Sequence, residues 1–494
     1  MGQNIDKQCF SQADFVQFKQ RLHEQLDALK NIMGQPSFGQ ASLQLGAELE
    51  LYLTDDSGHC QLSNQAVLSK LKDAVFQHEI NQYNIELNVP PVELGLNAFS
   101  QLAKQLNSRL NKLNQCCANL NTHATAIGIL PTLRPRDLLK QNMTDLERYH
   151  ILVDQLKVNR GAPFLIDIHG EEEVHMQVED VTAEGANTSF QVHMMVPPGA
   201  FVPIYNAAML SQSLVTAACG NSPVFLGKIV WDETRIALLK QVLDCRMRDS
   251  LARQLPARVN LGLGWLKQSA WSLYAEAVAL YPVLLPYLYP QHPAEGLPEL
   301  AELNLHMGTV WNWHRPVYCN QGTGHVRIEF RALPAGPTVE DMVANAAYSI
   351  GLAYGLSQQM EAYAAIMPFD IVDNNFYRAA QYGLDASIYW PDIDHYHVTY
   401  QPIQQVVLAS LETAQAGLTL LGVCQQEIQH YLNIIQQRVE DKLTGANWQK
   451  AALHHFEQNH HRHNACAEML KLYQQQSKNG IVVHQWERPW AARL

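Results

Sequence analysis

The sequence predicts an α+β fold, with half-buried strands packed among amphipathic helices and a helical C-terminal region. Three observations predict it. Residues 46–53, 83–89, 188–196 and 325–331 alternate apolar and polar side chains; period two marks a strand with one buried face. Between these segments apolar residues recur at helical spacing, as at Phe15, Phe18, Leu22, Leu26 and Leu29,. From about Pro402 to Gln476 the pattern is helical, with Val407, Leu411, Leu418, Leu421 and Ile428 among the apolar positions. Residues 1–400 are therefore expected to form one domain, with 401–494 a helical region packed on it.

Composition narrows the function classes. At 494 residues, 47% hydrophobic and 17% charged, the chain is long enough for one large core or a few smaller ones,. A net charge of −12 argues against a nucleic-acid partner,. Nine scattered cysteines form no CxxC pair, which suggests a reducing, cytoplasmic compartment. Met1 to Phe15 lacks an apolar signal core, and the most apolar run, Ala277 to Tyr289, is short and broken by Pro282 and Pro286. Neither reads as a secretory signal or a membrane span.

The first helix opens at Ser11 with Asp14 three residues on, a variant capping box,. The first strand, Gly46 to Leu53, puts Ala47, Leu49, Leu51 and Leu53 on one side and Glu48, Glu50 and Tyr52 on the other. Adjacent carboxylates on a sheet face repel. Either the face is open to solvent, or a divalent cation lies between them. The second strand carries Glu86 among Tyr83, Ile85, Leu87 and Val89; Pro90-Pro91 is expected to end it, leaving Glu93 beyond the turn,. A helix follows through Phe99, Leu102, Leu106, Leu110 and Leu113. Pro131 to Arg136 reads as a basic, proline-punctuated loop and Glu171-Glu172-Glu173 as a solvated acidic one,.

The third strand, Thr188 to Val196, sets Gln191 and His193 opposite Phe190, Val192 and Met194, after the glycine-containing loop Glu184 to Asn187. A helix from Ile204 should stop at Gly220, a C′ glycine, and Asn221-Ser222-Pro223 should turn the chain,. Arg235 and Arg246 on the next segment suit either an anion or a surface ion pair,. The aromatic-rich stretch Gly308 to Pro316 leads to the fourth strand, where His325, Arg327, Glu329 and Arg331 oppose Val326, Ile328 and Phe330. That alternation is either a salt-bridge ladder or a metal-and-phosphate face. Thr338 with Asp341 then caps a helix. The histidines from His454 to His463 read as a polar helix face,.

No P-loop, dinucleotide fingerprint, G-x-S-x-G elbow or HExxH is present,. What remains is Glu48, Glu50, Glu86, Glu93, His193 and Glu329, drawn from four strand-like segments. So much acid is tolerable in a pocket only if cations neutralise it. Magnesium or manganese suits oxygen ligands with an occasional imidazole, and such ions characteristically bridge nucleotide phosphates.

In order along residues 40 to 360, Gly46-Ala47-Glu48-Leu49-Glu50, Glu86 with Glu93, Thr188 to His193, Asn221-Ser222-Pro223, Gly308 to Trp311, Arg327 to Arg331 and Leu333 to Pro337 resemble the motifs of the glutamate–cysteine ligases. The nearest branch is type 2, among carboxylate–amine ligases of glutamine-synthetase-like fold. The resemblance implies an antiparallel sheet curved into a funnel within a catalytic domain at 1–400, with ATP entering one end and glutamate the other. It implies that Glu48, Glu50, Glu86, Glu93, His193 and Glu329 hold Mg²⁺ (or Mn²⁺). Arg327 and Arg331 would bind ATP, with Arg331 neutralising the γ-phosphate in flight and Arg235 sharing that work or holding a substrate carboxylate. Gln191, Asn221 and Ser222 would contact substrate. The expected reaction joins glutamate to an amine, cysteine by default, through an acyl phosphate, as in glutathione biosynthesis. The partners are then small molecules, with room for a homo-oligomer. Two rivals stay open: a guanidino-type phosphotransferase, which leaves phosphate on its product, and a nucleotide-binding regulatory protein, which releases no ADP.

Overall fold

The structure, a computed structural model, describes residues 7, 9–246, 255–290 and 296–490. Seven strands form the principal sheet: β1 (Gln44–Thr54), β2 (Phe76–His78), β3 (Asn84–Glu93), β4 (His123–Thr125), β5 (Phe190–Met195), β6 (His314–Cys319) and β7 (His325–Phe330). Their order is β6-β7-β5-β1-β3-β2, with β4 on the far end of β1. Every pairing is antiparallel, so the fold is α+β.

One sheet face is a continuous apolar layer of Ala47, Leu49 and Leu51, then Ile85 and Leu87, then Val192 and Met194, then Ile328 and Phe330. The buried helices Phe201–Cys219 and Val339–Ser357 pack nearby; Tyr205 donates to the His314 carbonyl at 3.0 Å. Because both faces of β5 are covered, all six of its residues are buried. Its period-two pattern therefore records the chemistry of the two faces, not exposure.

Two expectations need correction. Pro90-Pro91 does not end the second strand, which runs on to Glu93. The β1–β3 register shifts between Leu45 and Ala47, opposite the prolines. An irregularity of this kind leaves a position unpaired, where the missing proline N–H costs little. Gly220 ends its helix, but at φ −52° and ψ 133° it is extended rather than left-handed. Both capping expectations hold: Ser11 Oγ accepts from Asp14 N, and Thr338 Oγ1 accepts from Asp341 N.

The C-terminal region consists of helices Ile403–Leu420, Gln425–Glu440, Gly445–Glu457 and Arg462–Lys478. The first lies directly on Val339–Ser357. Gly351, Gly355 and Gly417 let the two backbones touch, since a Cβ at Gly355 would strike the Thr413 carbonyl,. Arg438 donates to Asp341 at 2.8 Å and to Asn345 at 2.6 Å, all three side chains being fully buried. Tyr473 donates to the Ala126 carbonyl at 2.9 Å, tying the last long helix to the loop after β4. Of the C-terminal histidines, His454, His460 and His461 are solvent-facing or partly so, and His463 stacks on His59 with ring centroids 5.1 Å apart. Among the described residues no helix is long and apolar enough to cross a membrane.

Candidate active site

Strand register delivers the site. Glu329 pairs with His193, His193 with Gly46, Gln191 with Glu48, and Glu50 with Glu86. Directly opposed residues in an antiparallel sheet point the same way. The polar faces of four strands thus merge into one wall, on the side opposite the apolar layer. A cavity of about 520 Å³ lies against it, and its lining includes Glu48, Glu50, Gln191, His193, Arg327, Glu329 and Arg331.

A chain of hydrogen bonds runs along this wall. Gln191 Nε2 donates to Glu50 Oε1 at 2.9 Å, and Arg331 Nη1 donates to Gln191 Oε1 at 2.6 Å and to Glu329 Oε1 at 2.8 Å. Arg315 grips the same carboxylate in a two-pronged contact of 2.5 and 3.0 Å. Such a fork fixes geometry as well as charge. His193 is clamped: Arg327 Nε donates to its Nδ1 at 3.0 Å, while its Nε2 lies 3.2 Å from Glu48 Oε1.

The electrostatics divide the carboxylates into two groups. Burial opposes the charged form at both Glu329 and Glu48. At Glu329 the Arg315 and Arg331 guanidiniums outweigh it, and at Glu48 the His193 contact does, so both carboxyls are held below the usual range. Glu50, Glu79 and Glu184 lack sufficient cations. Burial, together with carboxylate neighbours, pushes Glu50 to about 7, Glu79 to about 7 and Glu184 to about 8. Burial, the nearby Glu48 and the Glu79 carboxyl beside it raise Glu86 as well, and neither Glu86 oxygen meets a donor other than that acid.

These residues fit a divalent cation. Glu48, His193 and Glu329 each offer a ligand atom, all within 4.8 Å of one another, the one such group among the described residues. Oxygen donors with one imidazole suit magnesium or manganese, and the two buried oxygens of Glu86, met by no donor other than an acid, supply a reason for cationic charge nearby,.

A pH dependence follows. Raised carboxyls bind more protons in the folded chain than in the unfolded one, between their ordinary value of 4.5 and the folded values of about 7 to 8. Stability therefore falls as pH rises through that window. The metal-free protein is expected to melt about 3–6 °C lower at pH 8 than at pH 5.5, with Mg²⁺ recovering more of the loss at pH 8. Equal melting temperatures at the two pH values, with and without the ion, would contradict this.

Four expected site residues lie elsewhere. Glu93 is exposed at the end of β3 opposite Gln44, four residues along β1 from Glu48, and does not line the cavity. Asn221 is wholly buried, donating to the Ala335 carbonyl at 2.7 Å and to Tyr473 at 2.8 Å. Ser222 donates to Glu233 at 2.7 Å, and Arg235 donates to Glu233 at 2.9 Å and to the Ala332 carbonyl at 3.1 Å. These contacts make one interior knot that fastens the turn. Arg235 still influences the site through its charge, which favours ionised Glu50.

Among the cavity residues that the sequence reading did not single out are Glu79, Arg315 and Glu184. Glu79 stands seven residues before Glu86, the same spacing that pointed wrongly forward to Glu93. Arg315 faces Glu329 because β6 and β7 form a hairpin. Glu184 sits in the glycine-containing loop before β5.

The sequence model of glutamate–cysteine ligase family 2 matches residues 44–471. Among solved structures, a glutamate–cysteine ligase from Francisella tularensis in complex with AMP superposes with a TM-score of 0.56 at 12% identity, covering 92% of this chain and 91% of that one. A bifunctional glutathione synthetase from Pasteurella multocida gives a TM-score of 0.44 at 10% identity, covering 94% of this chain and 55% of that one. No curated protein sequence matches the chain. The family match spans all four site-bearing strands, and the chain belongs to glutamate–cysteine ligase family 2, the ATP-dependent ligases.

Proposed function

We propose that this ligase joins the side-chain carboxylate of glutamate to an amine, with cysteine the default acceptor, by way of an acyl phosphate. The observation that carries the reading is the meeting of Glu48, His193 and Glu329 within 4.8 Å, flanked by Arg315, Arg327 and Arg331. Glu48, His193 and Glu329, with Glu50, Glu79 and Glu86 nearby, would hold Mg²⁺, which when bound supplies charge against the nucleotide phosphates. The sheet would act as a funnel wall of glutamine-synthetase-like kind, with ATP and glutamate approaching from opposite ends.

In this reading Arg331 is already oriented by Gln191 and Glu329. It is thereby preorganised to stabilise charge on the transferred phosphoryl group without further rearrangement. Nine cysteines, none in a disulfide, support a cytoplasmic setting. The test is an ADP-release assay with ATP, Mg²⁺, glutamate and a panel of amines. Amine-dependent phosphate release supports ligation; phosphate retained on the product would reveal a kinase instead.

Arg331→Lys gives a second check. Lysine keeps the charge but not the planar guanidinium: Arg331 spends Nη1 alone on Gln191 and Glu329, whereas lysine's single nitrogen cannot hold both and face a phosphoryl group as well. The expected effect is a drop of about ten- to a hundredfold in kcat, with a much smaller change in KM for ATP. A change confined to KM would assign Arg331 to nucleotide binding alone.

A further inference from the structure

We propose that Glu184 receives the ammonium group of the attacking amine and holds it beside the activated carboxylate, an inference that rests on the ligase reading above. Glu184 belongs to the short 3-10 segment Thr182–Ala186 leading into β5. The backbone there is fastened on both sides. Asn81 Nδ2 donates to the Thr182 carbonyl at 2.9 Å, Thr182 Oγ1 donates to Asp180 at 2.6 Å, and Asn187 donates to the Glu184 carbonyl from both N and Nδ2, each at 2.9 Å. Gly185 presses against Ile80 and Asn81 so closely that a Cβ would overlap both.

The side chain is the opposite case. It lines the cavity, and among the described residues its carboxylate has no hydrogen bond and no ion pair. A rigid backbone thus holds a half-buried carboxyl without a partner against the cavity. A cation that arrives with a substrate would supply that partner and favour the ionised form.

The neighbours say where such a cation would sit. Glu184 feels the charges of Glu50 and Arg331 and in turn acts on Glu79, yet it is not part of the Glu48–His193–Glu329 group. It is thus within electrostatic reach of the guanidinium assigned to the phosphoryl group, but apart from that ligand triad. An amine attacking an acyl phosphate must approach within one bond of the departing phosphate, and near neutral pH it arrives as an ammonium ion. The ammonium ion first gives up one proton, and in the step itself the nitrogen lone pair so freed forms the C–N bond. The C–O bond to phosphate breaks, and phosphate leaves with that electron pair. Of the two protons lost from nitrogen, one goes to phosphate and one to solvent. Ile80 and Val181 line the cavity beside this segment, so the amine best accommodated carries a short apolar or thiol-bearing substituent.

The test is steady-state ADP release by the full chain with ATP, Mg²⁺ and glutamate while cysteine is varied. Glu184→Gln is expected to raise KM for the amine by about ten- to a hundredfold, with KM for glutamate and ATP shifted far less. Glu184→Asp, which keeps the charge, should recover part of the loss, and it carries the same KM comparison if the glutamine variant does not fold. Three outcomes would overturn the proposal: a rise in KM for glutamate instead, which assigns the contact to the donor's ammonium; a rise in the Mg²⁺ needed for half-maximal activity, which makes Glu184 a metal ligand; or no amine-selective change. A wild-type chain that releases no ADP with glutamate and any amine would overturn the ligase reading itself, before a variant is made.

Discussion

Changing Glu48 to glutamine is expected to lower ATP turnover by about two to three orders of magnitude while leaving the chain folded and, without metal, only slightly less stable,. Glu48 is one of three residues whose ligand atoms converge within 4.8 Å, and it is the carboxylate that faces His193 Nε2. Glutamine keeps the shape but removes the charge a cation needs. The stability half of the expectation comes from the same site. Glu48 raises the carboxyl of Glu86 and is itself opposed by Glu329, but the His193 contact holds its own carboxyl below the usual range, so neutralising it gives up a net favourable charge while relieving part of that repulsion. A small loss of stability beside a large loss of turnover marks a functional rather than a structural constraint. ADP release and thermal melting, measured on one preparation with and without Mg²⁺, read both halves. Near-normal turnover would remove Glu48 from the proposed metal site; a large fall in melting temperature would make its role structural.

Asp341→Ala should have the contrasting effect: a loss of about 3–5 kcal/mol of stability with little change in turnover per folded molecule. Asp341 is fully buried and accepts from Arg438 at 2.8 Å, from Thr338 Oγ1 at 2.7 Å and from Val483 N at 3.1 Å. Removing it strands the Arg438 guanidinium, itself 1% exposed, and loosens the cap of helix Val339–Ser357. The same carboxylate ties that helix to Gln425–Glu440 and to the segment at Val483, so one deletion weakens three joints. None of these residues lines the catalytic cavity. Urea unfolding followed by circular dichroism gives the magnitude. A loss under about 1 kcal/mol would mean that the surroundings rehydrate the arginine at little cost. Pairing the change with Arg438→Met should restore part of the stability, because an apolar pair does not leave a lone buried charge.

The comparison between these two carboxylates shows where local pattern stops. Glu48 was visible as a candidate because it alternates with Ala47 and Leu49, and Asp341 was visible as a cap because Thr338 precedes it by three. Nothing near either residue in sequence reveals that one meets His193 and the other Arg438. Glu93 and Glu79 make the same point. Each is seven residues from Glu86, and only the course of the chain through the irregularity at Pro90-Pro91 leaves Glu93 exposed at the strand end. Asn221, Ser222 and Arg235 carry the side chains expected of a substrate turn, yet they bond to Glu233, Ala332, Ala335 and Tyr473 in the interior instead.

By itself, then, the amino-acid order determined the α+β class, the four acid- or histidine-bearing strands, which side of each strand is polar, and both helix caps. Side-chain direction and capping depend on neighbours within a few residues. Tertiary structure alone decided which strands pair and in what register, and hence that Glu329, His193 and Glu48 meet, that Arg315 joins them, and that Glu184 faces the cavity unpaired. The decisive pairings, Glu329 with His193 and His193's strand with Glu48's, join segments more than a hundred residues apart, where a slip of one residue would turn every ligand to the opposite face.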